Sequence, residues 1–510
     1  MKIAAPISPW SRGARSRGAA RLAVSVAVVC LAASCGGHPA PAASSPVNSL
    51  TVKSCTVNGH VARCGTLIVP EDRLTGQGRT IPVRFVIFPA TGSDKAPDPV
   101  VYFAGGPGVS AVADIPVWLP DLQSLNIDRD LVFIEQRGTG QSNPLNCPAS
   151  SLPLAGKAAL RASIQSCLAR LHADLRFYTT AMFTDDVSQI LTDLHYAKAN
   201  LFGGSYGATA EQVFLLRHPG QVRTMSLESG TLLTTPIYER EAGNSQLALE
   251  YVFARCDTDP ACRQAFPHLA ADWAALWASL GKSPWVVPAA QSPTGKPLTL
   301  DQDTIAAGIY QALETSDIGP IPVLVHTLGA AADKTAALIS VAKVLQAAGL
   351  TETGGGATPM MQYEIVCAEP WASDQPAALS DQRTSFDYHN DLNTARWYQY
   401  VCPLIPTSAA AVGSQQLTLS RVPVLSLNGD ADPTDQPRNM AGMQKFWPGS
   451  REIALPGQGH YVTPATWPCM GALTQAFIEQ ASAAHLDTSC LAAIPAPAFD
   501  LTLQALTGGG

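Results

Sequence analysis

Charged residues are scarce in this sequence of 510 residues, and no strongly basic stretch follows its first 21 residues. Asp, Glu, Lys and Arg make up 14% of the chain, the net charge is −7 and the isoelectric point is about 5.8. Nucleic-acid-binding proteins usually carry clustered positive charge. The composition therefore argues against a nucleic-acid partner, while an apolar content of 46% is typical of a globular protein.

The apolar run near the N-terminus, residues 22–34, is shorter than the roughly 20 residues that a membrane-spanning helix needs. It follows a basic segment and ends in Leu-Ala-Ala-Ser-Cys, which is similar to the lipobox of bacterial lipoproteins. We predict a signal peptide over residues 1–34, a lipid anchor on Cys35 as the only membrane attachment, and a flexible tether over residues 35–50. The alternative is an ordinary signal peptide that is cleaved nearby.

None of the twelve cysteines shows the Cys-x-x-Cys spacing of a zinc or redox site. Cys30 would leave with the signal peptide and Cys35 would carry the lipid, so an even number remains for disulfides. The remaining cysteines fall into near neighbours along the chain, although spacing alone does not prove the pairing: Cys55/Cys64, Cys147/Cys167, Cys256/Cys262, Cys367/Cys402 and Cys469/Cys490. Disulfides are typical of an exported protein, in the cell envelope or outside the cell.

No internal repeat is visible, and a chain of this length is too long for one compact core. Short apolar strands alternate with helical segments over residues 51–237, and this alternation returns over residues 420–510. The intervening residues 238–419 are mainly helical, with helices predicted over residues 239–254, 261–280, 303–313 and 322–348. We predict an α/β fold with a mostly parallel sheet, helices on both faces, and a large helical cap inserted after the sixth strand.

Residues 200–207, Asn-Leu-Phe-Gly-Gly-Ser-Tyr-Gly, connect a short apolar strand to an amphipathic helix. Gly-x-Ser-x-Gly at a strand-to-helix turn is the pattern of a nucleophile elbow, which strains the serine and exposes its hydroxyl. Gly203 and Gly207 are required because a side chain at either position would collide with a neighbouring element. Ser205 is therefore the predicted nucleophile.

Two later loops, each after a predicted strand, supply an acid and a base. Asp432 lies in Gly-Asp-Ala-Asp-Pro-Thr, and His460 ends Gly-Gln-Gly-His. A serine nucleophile needs an imidazole to take its proton, and the imidazole needs a carboxylate to orient it. The chain order Ser205, Asp432, His460 is that of the α/β-hydrolases. We predict this catalytic triad, with Asp430 and Asp435 as the alternatives for the acid.

A glycine-rich loop, Ala-Gly-Gly-Pro-Gly at residues 104–108, follows a buried strand. Glycines leave backbone amides uncovered, and such amides stabilise the negative charge that develops on a carbonyl oxygen during acyl transfer. We predict an oxyanion hole formed by the amides of Tyr206 and Gly106, with Gly105 as the alternative. The non-catalytic alternative is a simple tight turn.

Together these motifs resemble the prolyl and tripeptidyl aminopeptidase branch of the α/β-hydrolases. The likeness extends from about Cys55 to Cys490, through residues 104–108, 135–142 (Glu-Gln-Arg-Gly-Thr-Gly-Gln-Ser), 203–207, 429–434 and the late Gly-x-Gly-His. The family's first loop usually begins with His and its second motif with Asp, where this chain has Ala104 and Glu135. The resemblance implies an α/β-hydrolase fold and a serine exopeptidase that releases residues or tripeptides from peptide N-termini, with no metal or organic cofactor.

An aminopeptidase must recognise a free ammonium group, which requires carboxylates near the cap. Glu228, Glu364 and Glu369 are the candidates, and the alternative for each is a surface acid in solvent or in an ion pair. Two other functions stay open: an exported carboxylesterase or lipase with the same triad, and a non-catalytic surface lipoprotein. No feature of the sequence indicates an oligomeric state.

Overall fold

The computed structural model describes residues 48–120, 122–147, 157–235, 237–347, 359–369, 386, 398–408 and 416–507. The predicted signal peptide, Cys35 and the predicted tether up to residue 47 lie outside these residues. Among the residues described, no helix combines the length and the apolar character needed to cross a membrane.

In the part of the chain that the structure describes, the strands form two sheets. In chain order the strands are β1 Leu50–Val57, β2 His60–Pro70, β3 Thr80–Phe88, β4 Val100–Phe103, β5 Leu131–Ile134, β6 Ala199–Gly204, β7 Val222–Glu228, β8 Trp285–Val287, β9 Leu298–Leu300, β10 Val424–Gly429 and β11 Arg451–Leu455. The main sheet has nine strands in the order β1-β2-β3-β5-β4-β6-β7-β10-β11, and β8 pairs with β9 in a separate antiparallel hairpin.

The main sheet is parallel from β5 to its β11 edge, whereas β1, β2 and β3 are antiparallel. Every residue of β4 and β5 is buried, because a parallel sheet is covered on both faces. The carboxyl ends of the parallel strands meet at one edge of the sheet, which is where ligands bind in such folds. The prediction of a mostly parallel sheet is confirmed.

Helices cover both faces of this sheet. In chain order the α-helices of the described residues are α1 Ile115–Trp118, α2 Lys157–Leu168, α3 Thr180–Asp193, α4 Tyr206–Arg217, α5 Ile237–Thr258, α6 Pro260–Ala265, α7 Leu269–Leu280, α8 Gln302–Glu314, α9 Pro320–Gly329, α10 Lys334–Ala347, α11 Pro359–Ala368 and α12 Trp467–Gln480. Alternate residues of a strand point to opposite faces. Thus Phe103 of β4 contacts Phe183 of α3, and its neighbour Tyr102 contacts Trp118 of α1 on the other face.

The large helical region begins after β7, whereas the sequence predicted it after the sixth strand. The difference arises because the N-terminal hairpin contributes two strands, β1 and β2, so β7 is the seventh strand of the chain. Helices α5 to α10 bury their apolar side chains in a cluster of their own, with Leu249, Trp273 and Ile309 among its members. Helix α11 instead packs into the cluster of the main sheet, through side chains such as Ile365. The helical cap predicted over residues 238–419 therefore divides into two parts. Helices α5 to α10 form a separate apolar cluster, and α11 packs against the main sheet.

Two helices predicted as continuous are each split. The predicted helix over residues 261–280 becomes α6 and α7, because Pro267 lies between them and lacks the N–H that continues a helix. The predicted helix over residues 322–348 becomes α9 and α10. Helix α9 ends at Gly329, where an added Cβ would lie 2.2 Å from the carbonyl oxygen of Asp272 in α7.

Five disulfides join the near-neighbour cysteines, and all five predicted pairs are confirmed: Cys55–Cys64, Cys147–Cys167, Cys256–Cys262, Cys367–Cys402 and Cys469–Cys490. Multiple structural disulfides are typical of an extracellular or otherwise exported protein.

Candidate active site

Ser205 stands at the sharp turn between β6 and α4. Its backbone has φ 56° and ψ −124°, a conformation that residues with a side chain rarely adopt. The turn brings the chain close to β4, because a Cβ added to Gly207 would lie 2.2 Å from the carbonyl oxygen of Phe103, and one added to Gly203 would lie 2.6 Å from it. The elbow thus has the strained geometry that Gly-x-Ser-x-Gly predicts.

Asp432 and His460 form a hydrogen-bonded pair on the loops that follow β10 and β11. Nδ1 of His460 lies 3.1 Å from Oδ2 of Asp432. The other oxygen of Asp432 accepts hydrogen bonds from the amides of Thr434 and Asp435, each at 2.8 Å, so the carboxylate is held in place. Asp430, one of the alternative acids, accepts instead from the amide of Gly457 at 2.6 Å.

Further buried carboxyl groups surround the imidazole. Oδ2 of Asp435 lies 3.5 Å from Nδ1 of His460, and Glu314 and Glu241 interact electrostatically with the same ring. Burial raises the pKa of Asp435, Glu314 and Glu241 to about 7. Burial alone lowers the pKa of His460, but these negative neighbours, Asp432 first among them, outweigh it and raise the pKa to about 10. The carboxyl groups around His460 therefore stabilise its imidazolium form.

Ser205 and His460 line the same cavity, which has a volume of about 260 Å³. This is just below the range of about 300–1,000 Å³ that is typical of small-molecule sites. Gly105 and Gly106 also line the cavity, and a Cβ added to Gly105 would lie 3.6 Å from Cβ of Ser205. The amide of Tyr206 belongs to the first turn of α4, where N–H groups lack partners within the helix. The predicted oxyanion donors therefore lie beside Ser205.

Two buried side chains stabilise the loops around the cavity. Glu135 accepts hydrogen bonds from the hydroxyl of Ser110 at 2.7 Å and from the amide of Gln141 at 2.8 Å, so it joins the segment that follows the glycine-rich loop to the loop after β5. The hydroxyl of Tyr206 accepts a hydrogen bond of 2.7 Å from the side-chain amide of Gln136. Glu135 therefore stabilises these two segments of the chain.

The three carboxylates predicted to bind the substrate lie in different places. Glu228, the last residue of β7, is only 5% exposed and lines the cavity of Ser205. Glu364 in α11 and Glu369 directly after it are also buried but do not line this cavity. Glu369 accepts a hydrogen bond from the amide of Thr180 at 2.9 Å. Of these three carboxylates, only Glu228 therefore lies in the cavity that Ser205 lines.

Asp114 also lines the cavity, and sequence reasoning did not identify it. It precedes α1, is only 5% exposed, and accepts a hydrogen bond of 3.0 Å from the hydroxyl of Tyr102. Burial raises the pKa of Asp114 to about 7. A signal is present in the sequence, because Asp114 is the only charged residue between positions 99 and 120. A lone acid in an apolar segment is either paired or functional.

Asp432, Asp435 and His460 also satisfy the distance requirement for a metal site. Their ligand atoms all lie within 4.8 Å of one another, and no other group of His, Cys, Asp and Glu in the described part of the chain does so. Because Nδ1 of His460 is already hydrogen-bonded to Asp432, the arrangement is that of an oriented histidine beside two carboxylates.

Comparison with known families identifies two segments of this chain. Residues 98–291 match the model described as the alpha/beta hydrolase fold, and residues 390–490 match the model described as TAP-like protein. No curated protein sequence shows significant similarity to the chain.

Several solved structures align with most of this chain, at low identity and low TM-score. A proline iminopeptidase from Mycobacterium smegmatis is 14% identical, with a TM-score of 0.35 over 82% of this chain and 98% of that chain. An epoxide hydrolase from Bacillus megaterium is 15% identical, with a TM-score of 0.35 over 78% of this chain and 97% of that chain. A thermophilic esterase from Thermogutta terrifontis is 13% identical, with a TM-score of 0.33 over 81% of this chain and 97% of that chain. These three proteins have different activities, so this comparison does not indicate an activity for the present chain.

The two matched segments together span more than half of the 510 residues, and they contain Ser205 in the first and both Asp432 and His460 in the second. The strained strand-to-helix turn at Ser205 is typical of the α/β-hydrolase fold that the first model describes. The chain belongs to the α/β-hydrolase family, with a TAP-like C-terminal segment.

Proposed function

We propose that this protein is an exported serine hydrolase that releases residues or tripeptides from the N-termini of peptides. One observation carries the proposal: Ser205, at a strained turn, shares a cavity with His460, whose Nδ1 is hydrogen-bonded to Asp432. This combination of nucleophile, base and orienting acid is that of acyl transfer.

In the proposed reaction the hydroxyl oxygen of Ser205 attacks the carbonyl carbon of the scissile amide. Nε2 of His460 accepts the hydroxyl proton, while Asp432 stabilises the resulting imidazolium. The amides of Tyr206 and Gly106, or Gly105 in its place, donate to the oxyanion. His460 then protonates the leaving amine, and a water molecule that it deprotonates releases the acyl group from Ser205. No step needs a metal or an organic cofactor.

The charge of the cavity supports a substrate with a free N-terminus. Glu228 is buried in the same cavity as Ser205. None of the described residues that line the cavity is Lys or Arg. A carboxylate in this position can accept a charge-assisted hydrogen bond from the ammonium group of a peptide N-terminus.

A carboxylesterase with the same triad is the second candidate. Most of the cavity wall is apolar, with side chains that include Val109, Val462 and Met470. An apolar wall suits a neutral acyl chain, whereas buried acids suit an amine. The scissile bond, amide or ester, is therefore what an experiment must decide.

Attachment to a membrane through a lipidated Cys35 is part of the proposal. The five disulfides support export. Expression of the full chain and of Cys35→Ser, followed by fractionation, tests the anchor. We expect the wild-type chain in the membrane fraction and the variant in the soluble fraction, and equal distribution would contradict the anchor.

Turnover of matched substrates tests the enzymatic proposal. The panel contains Pro-, Ala- and tripeptidyl-amide reporters, their N-acetylated forms, and short-chain p-nitrophenyl esters, each with wild-type protein and Ser205→Ala. We expect cleavage of free-amine peptides, its loss on acetylation, and a fall of at least about 1,000-fold in Ser205→Ala. Turnover of esters alone would favour the carboxylesterase. Equal inactivity of both proteins would favour a non-catalytic lipoprotein.

A further inference from the structure

The side chain of Tyr206, whose amide is a proposed oxyanion donor, does not line the cavity and packs instead in the apolar cluster of the main sheet. Its hydroxyl accepts a hydrogen bond of 2.7 Å from the side-chain amide of Gln136 and lies 2.7 Å from the hydroxyl oxygen of Thr180. Burial, and after it the charge of Glu369, holds the pKa of Tyr206 well above its ordinary value, so the hydroxyl keeps its proton. Polar contacts thus hold the tyrosine ring within an apolar core.

The groups around this hydroxyl come from three elements that are distant in the chain. Gln136 follows β5, Thr180 is the first residue of α3, and Glu369 directly follows α11. Oε1 of Glu369 accepts the 2.9 Å hydrogen bond from the amide of Thr180, at a helix end where N–H groups lack partners within the helix and favour negative charge. All three residues are buried. A buried network whose groups are paired is rigid, so it determines where the ring of Tyr206 lies.

The peptide unit between Ser205 and Tyr206 carries the proposed donor N–H, so its orientation depends on how both residues are held. The amide of Ser205 donates a hydrogen bond of 2.9 Å to the carbonyl oxygen of Glu228 in the neighbouring strand, which holds one side of the unit. The contacts of the Tyr206 hydroxyl hold the other side. A donor stabilises an oxyanion only when it lies about 2.7–3.1 Å from it. A small displacement of Tyr206 would therefore weaken binding of the oxyanion without altering binding of the substrate.

We propose that Thr180 and Glu369 are positioning residues for the oxyanion hole, and that they act through the hydroxyl of Tyr206. Neither lines the cavity, so neither touches the substrate. The inference rests on the proposed acyl transfer, because an oxyanion forms only in that reaction, and it holds for amides and esters alike. Glu369, which the sequence suggested as a substrate-binding acid, acts on the nucleophile turn from the far side of α3.

Removal of the Tyr206 hydroxyl is the first test. Tyr206→Phe keeps the ring and the backbone, and we expect kcat for the best substrate of the panel to fall about tenfold with KM within about twofold of wild type. Formation and hydrolysis of the acyl-enzyme both pass through an oxyanion, so kcat should fall whichever step limits the rate. Tyr196→Phe is the matched control, because Tyr196 lies beyond the other end of α3 and its hydroxyl donates to Asp130. Its kcat should stay within about twofold of wild type.

Conservative variants then show whether the hydrogen bonds themselves act. Thr180→Val removes the hydroxyl at similar size, and Glu369→Ala removes the acceptor for the Thr180 amide, so each should lower kcat at least about fivefold. Thr180→Ser keeps the hydroxyl, and Glu369→Gln keeps an oxygen that can accept, so both should stay within about twofold of wild type. Equal losses in the disruptive and the conservative variants would show that these hydrogen bonds do not act, and the inference would be wrong.

An inhibitor that forms an oxyanion gives a readout that a purely structural role would not change. With phenethyl trifluoromethyl ketone, Oγ of Ser205 bonds to the carbonyl carbon, the hydroxyl proton moves to Nε2 of His460, and the π electron pair of the carbonyl becomes the charge of the hemiketal oxygen. We expect the inhibition constant to rise about tenfold in Tyr206→Phe, in parallel with the fall in kcat/KM. The corresponding trifluoromethyl carbinol cannot form this adduct, so its affinity should be unchanged. A merely smaller fraction of folded protein would alter neither constant, and an unchanged constant for the ketone would overturn the inference.

The same panel distinguishes failure of the inference from failure of the proposed function. Peptide cleavage with unchanged kcat and ketone affinity in Tyr206→Phe would overturn the inference and leave the peptidase intact. Ester turnover without peptide cleavage would contradict the peptidase, and the same variants would then decide the inference on esters. A wild-type protein that turns over no substrate, and binds the ketone no more tightly than the carbinol, would overturn both.

Discussion

The hydroxyl of Ser316 donates a hydrogen bond of 2.6 Å to the carbonyl oxygen of Tyr461, the residue after His460. The same hydroxyl accepts a hydrogen bond of 2.7 Å from the amide of Gly459, the residue before it. Ser316 follows α8, so the helical region holds the histidine loop of the main sheet from both sides. Residues far apart in the chain thereby determine where the proposed base lies.

Replacement of Ser316 by Ala should disturb the position of His460 without changing a residue that lines the cavity. Loss of both hydrogen bonds should lower kcat about tenfold with KM nearly unchanged, since misplacement of a catalytic group acts on the chemical step. The free energy of unfolding should fall by about 1–2 kcal/mol. Thr315→Ala is the matched control, because the Thr315 hydroxyl donates only within α8. Steady-state kinetics and urea unfolding check both effects, and identical behaviour of the two variants would contradict the role of Ser316.

Gly207→Ala should destabilise the protein, because the new Cβ would lie 2.2 Å from the carbonyl oxygen of Phe103. Backbone cannot move aside as a flexible side chain does, so we expect a loss of about 1–3 kcal/mol or more, together with loss of turnover. Gly220→Ala serves as the control, since nothing lies within 4 Å of the added atom. Its unfolding free energy should change by less than about 1 kcal/mol. Urea unfolding of both variants tests this expectation. Equal free energies of unfolding for the two variants would contradict the close contact between residue 207 and the carbonyl oxygen of Phe103.

The rate should depend on pH through His460. A general base must be neutral, and the pKa of His460 is raised to about 10, so kcat/KM should increase as pH rises towards that value. Asp435, whose pKa is about 7, is ionised over this range and stabilises the imidazolium from 3.5 Å. Asp435→Asn removes that charge, lowers the pKa of His460, and should shift the rising limb to lower pH by at least about one unit.

A pH–rate profile of Asp435→Asn beside wild type and Asp94→Asn measures this shift. Asp94 is exposed and lies before β4, so its variant changes the net charge equally without altering the site. If the rising part of the Asp435→Asn profile is unshifted, or shifted to higher pH, the charge of Asp435 does not raise the pKa of His460.

Glu364 should make the protein less stable as pH rises. Neither of its carboxylate oxygens has a hydrogen-bond partner among the described residues, and burial raises its pKa from 4.5 to about 9. The folded protein therefore retains a proton that the unfolded chain releases between these values, and stability falls by up to about 1.4 kcal/mol per pH unit in that window. Glu364→Gln removes this contribution.

Urea unfolding at pH 5.5 and 7.5 compares the two proteins. The loss of unfolding free energy between these pH values should be about 2–3 kcal/mol smaller in Glu364→Gln than in wild type. Glu250→Gln, a change at an exposed glutamate of α5, should behave as wild type. If Glu364→Gln loses as much stability as wild type, Glu364 is ionised in the folded protein.

Much of the elbow and of the disulfide pattern could be predicted, because both depend on residues that are near in sequence. The spacing around Ser205 requires a strand-to-helix turn, and neighbouring cysteines such as Cys256 and Cys262 meet within one or two turns of chain. Helix ends were less predictable. The prediction of a single helix over residues 261–280 overlooked Pro267. Proline lacks the N–H that continues a helix, and α6 and α7 are therefore separate.

The sequence by itself determined the fold family and the order of the proposed nucleophile, acid and base, and it suggested the cysteine pairs, since each is recorded in local patterns and their order. Only the tertiary structure decided which acids lie in the cavity that Ser205 lines. It places Asp114 and Glu228 in the cavity, Glu364 and Glu369 outside it, and Asp435 beside His460. The reason is that strands adjacent in the sheet are distant in the chain, so the proximity of their terminal loops follows from strand order and packing, which no local spacing records.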